Sequence, residues 1–417
     1  MNDSANISTL PYLHFDAATR CIRLDPHEPA FVQNPYAAYG WLHAHSPAFF
    51  WEDYGFWCFA GHDEISRLLR DRRFGREKPA DEAESGMERA HLADFDRVER
   101  HSMLELEPPT HTRLRTLVNR AFVSRQVERL RPRIEKLANE LIDGFESNGG
   151  VDLMPAFATP IPVVVIAEML GVPTENAPQL LDWSHRMVAM YMHGHSRETQ
   201  DSANRAAAEF SAYIRDYANQ RRRKPGDDLL SLLIAAEEDG SKLSEDELVT
   251  TAILLLNAGH EATVNQTGNA VKTVLESGRD PKVLFATPES TAATIEECLR
   301  FDAPLHMFTR YAYGEIDLGD GITIRPGEQI GLILGAGNRD PRSFGEPGRF
   351  SPGRADQKNV SFGAGIHFCI GAPLARLEMQ VSLKTLFTRL PGLHLAETPL
   401  YRDTYHFHGL ERLLLEW

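Results

Sequence analysis

The chain has 417 residues, 42% hydrophobic and 25% charged, which supports a large buried core and argues against a disordered chain. A formal charge of −15 disfavours nucleic acid and anionic membranes as partners, and four scattered cysteines (Cys21, Cys58, Cys298, Cys369) argue against a disulfide framework or a cysteine-rich zinc site. No apolar stretch approaches the ~20 residues of a membrane helix. Residues 1–16 lack the basic start and apolar run of a signal peptide, so a cytoplasmic location is expected.

In chain order, residues 1–15 read as a flexible polar start to one domain covering 1–417, and residues 48–59 read as extended and aromatic. Arg67, Arg70, Arg72, Arg73 and Arg76 form one basic cluster, and residues 113–133 hold another; taken alone, both read as solvated faces. Apolar residues recur every three or four positions over 126–147, 197–223, 244–277 and 288–301, which predicts helices. Residues 309–313, 315–318, 322–324 and 329–334 alternate around Gly-Asp and Pro-Gly turns and predict short strands. No G-x-G-x-x-G loop opens a helix, which argues against a fused flavin or nicotinamide domain. The expected fold class is mainly α with small β-sheets.

The helix at 244–277 begins with a capping box, Ser244-Glu-Asp-Glu247, and has an awkward centre, Leu254-Leu-Leu-Asn-Ala-Gly-His-Glu-Ala-Thr263. Gly259 costs about 1 kcal/mol relative to alanine in a helix interior. A glycine there admits a flat group close to the backbone, and Glu261, shielded by the apolar run before it, is placed to relay protons. A tolerated glycine and a surface glutamate are the plainer alternatives.

Ser361-Phe-Gly-Ala-Gly-Ile-His-Phe-Cys-Ile-Gly371 is rich in glycine, a poor helix or strand but a good tight loop. Ala372-Pro-Leu-Ala-Arg-Leu-Glu378 then opens a helix, with Pro373 in its tolerated first turn. Cys369 therefore sits just before a helix N-terminus, where the dipole and free N–H groups favour a thiolate. A metal ligand and a nucleophile both suit that chemistry; a zinc site with His367 lacks a second ligand pair.

With these residues in place, the chain resembles the cytochrome P450 superfamily over nearly its whole length, and looks most like its soluble bacterial haem-thiolate monooxygenases. The cysteine loop matches F-x-x-G-x-H-x-C-x-G at Phe362, Gly365, His367, Cys369 and Gly371, and Glu297-Cys-Leu-Arg300 matches E-x-x-R. Pro347-Gly-Arg-Phe350, Ala258-Gly-His-Glu261, Glu107-Pro-Pro-Thr-His-Thr-Arg-Leu-Arg115 and Asn338-Arg-Asp-Pro341 follow the family pattern in order. The resemblance implies a triangular helical prism with haem b (iron protoporphyrin IX) between the long central helix and the cysteine-loop helix. It makes Cys369 the ligand to the iron, with Phe362, Gly363, Gly371 and Ala258 beside the cofactor. Arg115, Arg310, His367 and His111 would meet the haem propionates. Glu297, Arg300 and Arg349 would form a buried cluster steadying the loop, with Arg354 the second choice for its last member.

The family usually has threonine directly after the helix acid; here Ala262 stands there and Thr263 follows. Gly259, Glu261, Ala262 and Thr263 thus form the expected catalytic stretch, with Glu261 delivering protons. Thr263 with an ordered water, or a substrate hydroxyl, would assist in place of the usual threonine, and poor coupling with peroxide release is the third outcome. Leu255, Asn257, Leu305, His306, Met307 and Phe308 are expected in the substrate pocket, with Met187 and Phe407 beside them and His306 or His406 meeting a polar group. The implied partners are O2, a small hydrophobic substrate, and a ferredoxin with its reductase. Some arginines of 67–76 and 113–125 would frame the docking face of an otherwise monomeric protein. A peroxide-driven peroxygenase and a non-catalytic haem sensor are the rival readings.

Overall fold

The computed structural model describes residues 10–79, 89–121, 127–192, 194–238, 241–356 and 358–417. Its longest element, Glu245–Glu276, forms because the capping box closes: Glu247 N donates to Ser244 Oγ (3.2 Å) and Ser244 N donates to Glu247 Oε2 (2.8 Å). Helices Pro160–Leu170, Arg197–Arg223, Pro288–Phe301 and Ala372–Arg389 pack around it, so apolar and polar residues are buried along most of its length. The predicted helices at 197–223 and 288–301 coincide with the observed ones. The one expected over 126–147 is shorter, Arg131–Asp143, ending at Gly144, and residue 126 lies outside the described residues.

The aromatic stretch is a hairpin, Ala48–Trp51 against Phe56–Phe59. Gln329–Leu332 runs parallel to Phe56–Phe59 and antiparallel to Phe308–Ala312, and His14–Asp16 and Phe74–Gly75 are the outer strands of this seven-stranded sheet. The expected flexible start is thereby shortened. Residues 1–9 lie outside the described residues, and His14–Asp16 is already paired with Cys21–Arg23. Leu334–Gly337 turns into a short helix rather than extending the strand expected over 329–334. Among the described residues, no helix is long and apolar enough to cross a membrane.

Candidate active site

The start of the cysteine loop is held by two elements distant in sequence. Arg300 donates to Glu297 (2.8 and 2.7 Å) and to the carbonyls of Asn338 and Pro347 (2.9 and 3.0 Å). Asn338 donates to Ser361 Oγ (2.7 Å) and accepts from Val360 N (2.8 Å), and Ser361 Oγ donates to the Leu299 carbonyl (2.7 Å). Each polar group at the start of the loop is thus paired by the Glu297–Arg300 helix or by the Asn338 turn, as burial requires. The third member of the cluster is Arg354, not Arg349. Arg354 Nε reaches Glu297 at 3.1 Å, whereas the Arg349 side chain is 63% exposed and pairs with Glu346. Only the Arg349 carbonyl faces inward, accepting from Arg300 and Arg354.

Cys369 opens into a cavity of about 410 Å³. Burial pushes its thiol upward, although the N–H groups of Gly371 and Ala372 and the Arg115 charge favour the thiolate. Ala258, Gly259, Glu261, Ala262 and Thr263 line the same cavity from the long helix, as do Phe362, His367 and Gly371 from the loop. Gly259 is in the lining, and a Cβ on it would meet Ile166 at 3.2 Å, so this glycine also admits a neighbouring helix. Gly363 (φ +69°) lies behind the lining, and its Cβ would press on Phe308 at 3.1 Å.

Of the cations expected to meet two carboxylates, His111, Arg115 and His367 line this cavity. His111 is buried, neither ring nitrogen has a partner among the described residues, and burial with the His367 and Arg115 charges holds it down at about 4. Arg115 donates to the Phe368 carbonyl, and His367 Nε2 lies 2.9 Å from Glu107. Arg310 is buried behind Phe308 and Thr309, bonded to the Thr309 carbonyl at 2.7 Å, and burial brings it down to about 9. Among the described residues it has no carboxylate in ion-pair range. A buried guanidinium without an anion is costly, so this set fits a cofactor carrying its own carboxylates.

Leu255, Asn257, Leu305, Met307, Phe308 and Phe407 line the cavity, and Leu305 is bridged to Phe407. His306 does not. It is fully buried behind the wall, its Nδ1 2.7 Å from the Tyr39 hydroxyl, because Leu305 and Met307 take the inward direction. His406 lines the cavity instead. Met187 also lies behind, its sulfur accepting from Asn257 Nδ2 at 3.9 Å. Burial raises Glu261, but a hydrogen bond from His185 and the nearby His260 and Arg402 charges outweigh it, leaving the carboxyl at about 2. Burial itself holds His260 down to about 4.

Several wall residues escaped the sequence reading. Glu99, raised to about 8 by burial and the Glu105 charge, accepts from the Tyr191 hydroxyl at 3.0 Å, and Arg76 pairs with Glu105. Nothing local marks these, since their partners come from distant segments. Glu378 is different: burial raises it strongly, and among the described residues neither of its oxygens has a partner. It shares the cavity-facing stripe of its helix with Leu374 and Ala375, and a lone acid at that spacing was a readable signal.

The family description "Cytochrome P450" matches residues 78–273 and 271–391. The polyketide biosynthesis cytochrome P450 PksS of Bacillus subtilis (strain 168) is 37% identical, covering 93% of this chain and 97% of that protein. The 6-deoxyerythronolide B hydroxylase of Saccharopolyspora erythraea is 36% identical over 86% of this chain and 89% of its own length. The structure of P450BioI, in complex with hexadec-9Z-enoic acid ligated acyl carrier protein, superposes with a TM-score of 0.87 at 35% identity, covering 93% of this chain and all of that one. With a thiol loop and an acid-bearing helix sharing one cavity, and family likeness along most of its length, this chain belongs to the cytochrome P450 family and is a haem b monooxygenase.

Proposed function

We propose that residues 1–417 act as one catalytic domain inserting one oxygen atom of O2 into a largely apolar small molecule, with Cys369 as the haem ligand. The observation that carries this is the shared cavity, where Cys369 and the stretch from Ala258 to Thr263 meet among Leu255, Leu305, Met307, Phe308 and Phe407. Haem held by a thiolate supplies the activation of dioxygen. Arg115, Arg310, His111 and His367 would hold its propionates, Phe362, Gly371 and Ala258 would border it, and Gly363 would shape the loop behind. Glu261 takes protons from the His185 side and passes them inward. The Thr263 hydroxyl, now 3.4 Å from the Gly259 carbonyl, orients a water or substrate hydroxyl beside Ala262. Asn257 Oδ1, buried without a donor among the described residues, offers the substrate a polar anchor.

The substrate class is an apolar chain or ring system, such as a polyketide-like or fatty acyl chain, terpenoid, steroid or substituted aromatic. The relatives PksS, of polyketide biosynthesis, and P450BioI, in complex with a hexadecenoic acid ligated acyl carrier protein, favour the chain-like members. The redox partner is a small acidic ferredoxin, served by its reductase. Gly365 packs on Leu69 and Arg70, so the exposed Arg67, Arg70 and Arg72 sit beside the cysteine loop where electrons must enter. Reduction by such a ferredoxin slows as ionic strength rises; a salt-independent rate removes this docking face.

The reduced carbon monoxide complex tests the central reading. A strongly red-shifted Soret band is expected from the native protein and not from Cys369→His. A histidine-type band in the native protein defeats the assignment. Titration with acyl chains and steroids, read by the haem spin-state shift, then ranks substrates.

A further inference from the structure

Glu261 has two neighbours besides the cavity. Its Oε2 lies 3.5 Å from His185 Nε2, and its Oε1 lies 3.4 Å from Arg402 Nη2. The preceding residue, His260, is 3% exposed, and neither of its ring nitrogens has a hydrogen-bond partner among the described residues. Leaving a buried polar atom unpaired costs about 1–3 kcal/mol, so a histidine with both nitrogens bare calls for a ligand. The His185 and His260 rings stand 5.6 Å apart, and one donor atom from each of His185, His260 and Glu261 falls within 4.8 Å of the others. His185 is 53% exposed, so the group has a route to solvent.

We propose that His185, His260 and Glu261 bind one divalent transition-metal ion, zinc(II) foremost, at the outer end of the route to Glu261. Two imidazoles and a carboxylate are a recognised zinc ligand set with a fourth position for water. Tetrahedral ligands at about 2.0–2.1 Å from zinc stand roughly 3.3 Å apart. The His185–Glu261 spacing of 3.5 Å already meets this, and the half-exposed His185 can move to bring the His260 nitrogen into range. Magnesium and calcium prefer oxygen ligands, which sets them apart from this donor set.

Arg402 opposes the cation, and it already donates to Asn265 Oδ1 at 2.6 Å, a partner that retains it when the carboxylate turns to metal. The site is therefore weaker than a structural zinc site and fills when the metal is supplied. Metal there occupies the carboxylate needed for proton movement and slows turnover. That consequence rests on the proposed role of Glu261; the binding does not. A second cluster, Asp302, His306 and His408, is comparably close but fully buried, and its carboxylate already accepts from Tyr36 and Tyr401.

The test is calorimetric titration of zinc(II) into the haem-loaded, tag-free protein, with bound metal counted after dialysis. One saturable equivalent is expected, weakened roughly tenfold or more (~1.4 kcal/mol) in His185→Gln and His260→Gln but unchanged in His394→Gln. His185→Gln alters a half-exposed side chain, and an unchanged carbon monoxide spectrum certifies its fold. An equivalent that survives both variants with unchanged affinity, or is lost in His408→Gln, overturns the site. Reductant consumption read with and without zinc separates the second claim. It falls in the native protein and is insensitive in His185→Gln, whereas bound zinc with undiminished turnover overturns the role of Glu261 and leaves the site standing.

Discussion

Glu297 accepts from Arg300 twice, from Arg354 Nε at 3.1 Å and from the Ser351 N–H at 2.7 Å, so its charge is spread over three neighbours. Arg354→Met removes one charged partner from a buried carboxylate, and a loss of about 1.5–3 kcal/mol is expected. Arg349→Ala touches only an exposed pair and stays within about 0.5 kcal/mol. Urea unfolding of the two variants checks the ordering, and equal losses would restore Arg349 to the cluster. At Ala262, a threonine would add a hydroxyl to the cavity wall beside Thr263. Ala262→Thr is expected to raise product formed per reductant consumed, and an unchanged ratio removes position 262 from proton delivery.

Among the elements, the cysteine loop depends most on its fit to a neighbour. Gly365 has φ +73°, and a Cβ there would lie 2.5 Å from the Leu69 carbonyl, a backbone atom that cannot swing aside. Gly365→Ala therefore strains the loop twice, by conformation and by contact, for about 1–3 kcal/mol from the backbone alone. Reduced haem retention, read as the ratio of Soret to protein absorbance, is expected. Gly259→Ala is milder, since it meets a side-chain atom, Ile166 Cγ1 at 3.2 Å, rather than backbone. The long helix was legible because its capping box and apolar run are local. The loop's anchors were legible only in part. Glu297 and Arg300 lie three apart on a helix and must share a face, but Arg349 and Arg354 lie in irregular chain with no period to say which points inward.

For the whole molecule, pH acts through buried groups of opposite sense. His260 and His111 are held down to about 4, and His306 lies well below its ordinary value, all by burial first. Between pH 6.5 and about 4 the unfolded chain takes up protons that the folded chain refuses, so acidification destabilises the fold. Glu99 works the other way. Folded, it keeps its proton to about 8, so its contribution is present at low pH and is lost as pH rises from 4.5 to 8. The three histidines outweigh Glu99 on the acid side even with Glu378, which burial raises strongly in the same sense, and from pH 6.5 to about 8 those two glutamates set the slope. Maximal stability near pH 6.5 is expected, with slopes of at most about 1.4 kcal/mol per pH unit per group. Urea midpoints across this range check it: His260→Gln should flatten the acid limb and Glu99→Gln the alkaline one.

The sequence by itself determined the mainly helical class, the extent of the long helix and the glycine loop around Cys369, because capping, periodicity and turn chemistry are local. Ordered motifs also pointed to the family. Only tertiary structure decided which side of an irregular segment faces the site. It set Arg354 rather than Arg349 against Glu297, His406 rather than His306 on the wall, and Met187 behind Asn257. It also set His185, from a helix distant in sequence, beside His260 and Glu261. Which side of an irregular segment is buried, and which distant charge it meets, are properties of the packed whole, and no spacing along such a segment encodes them.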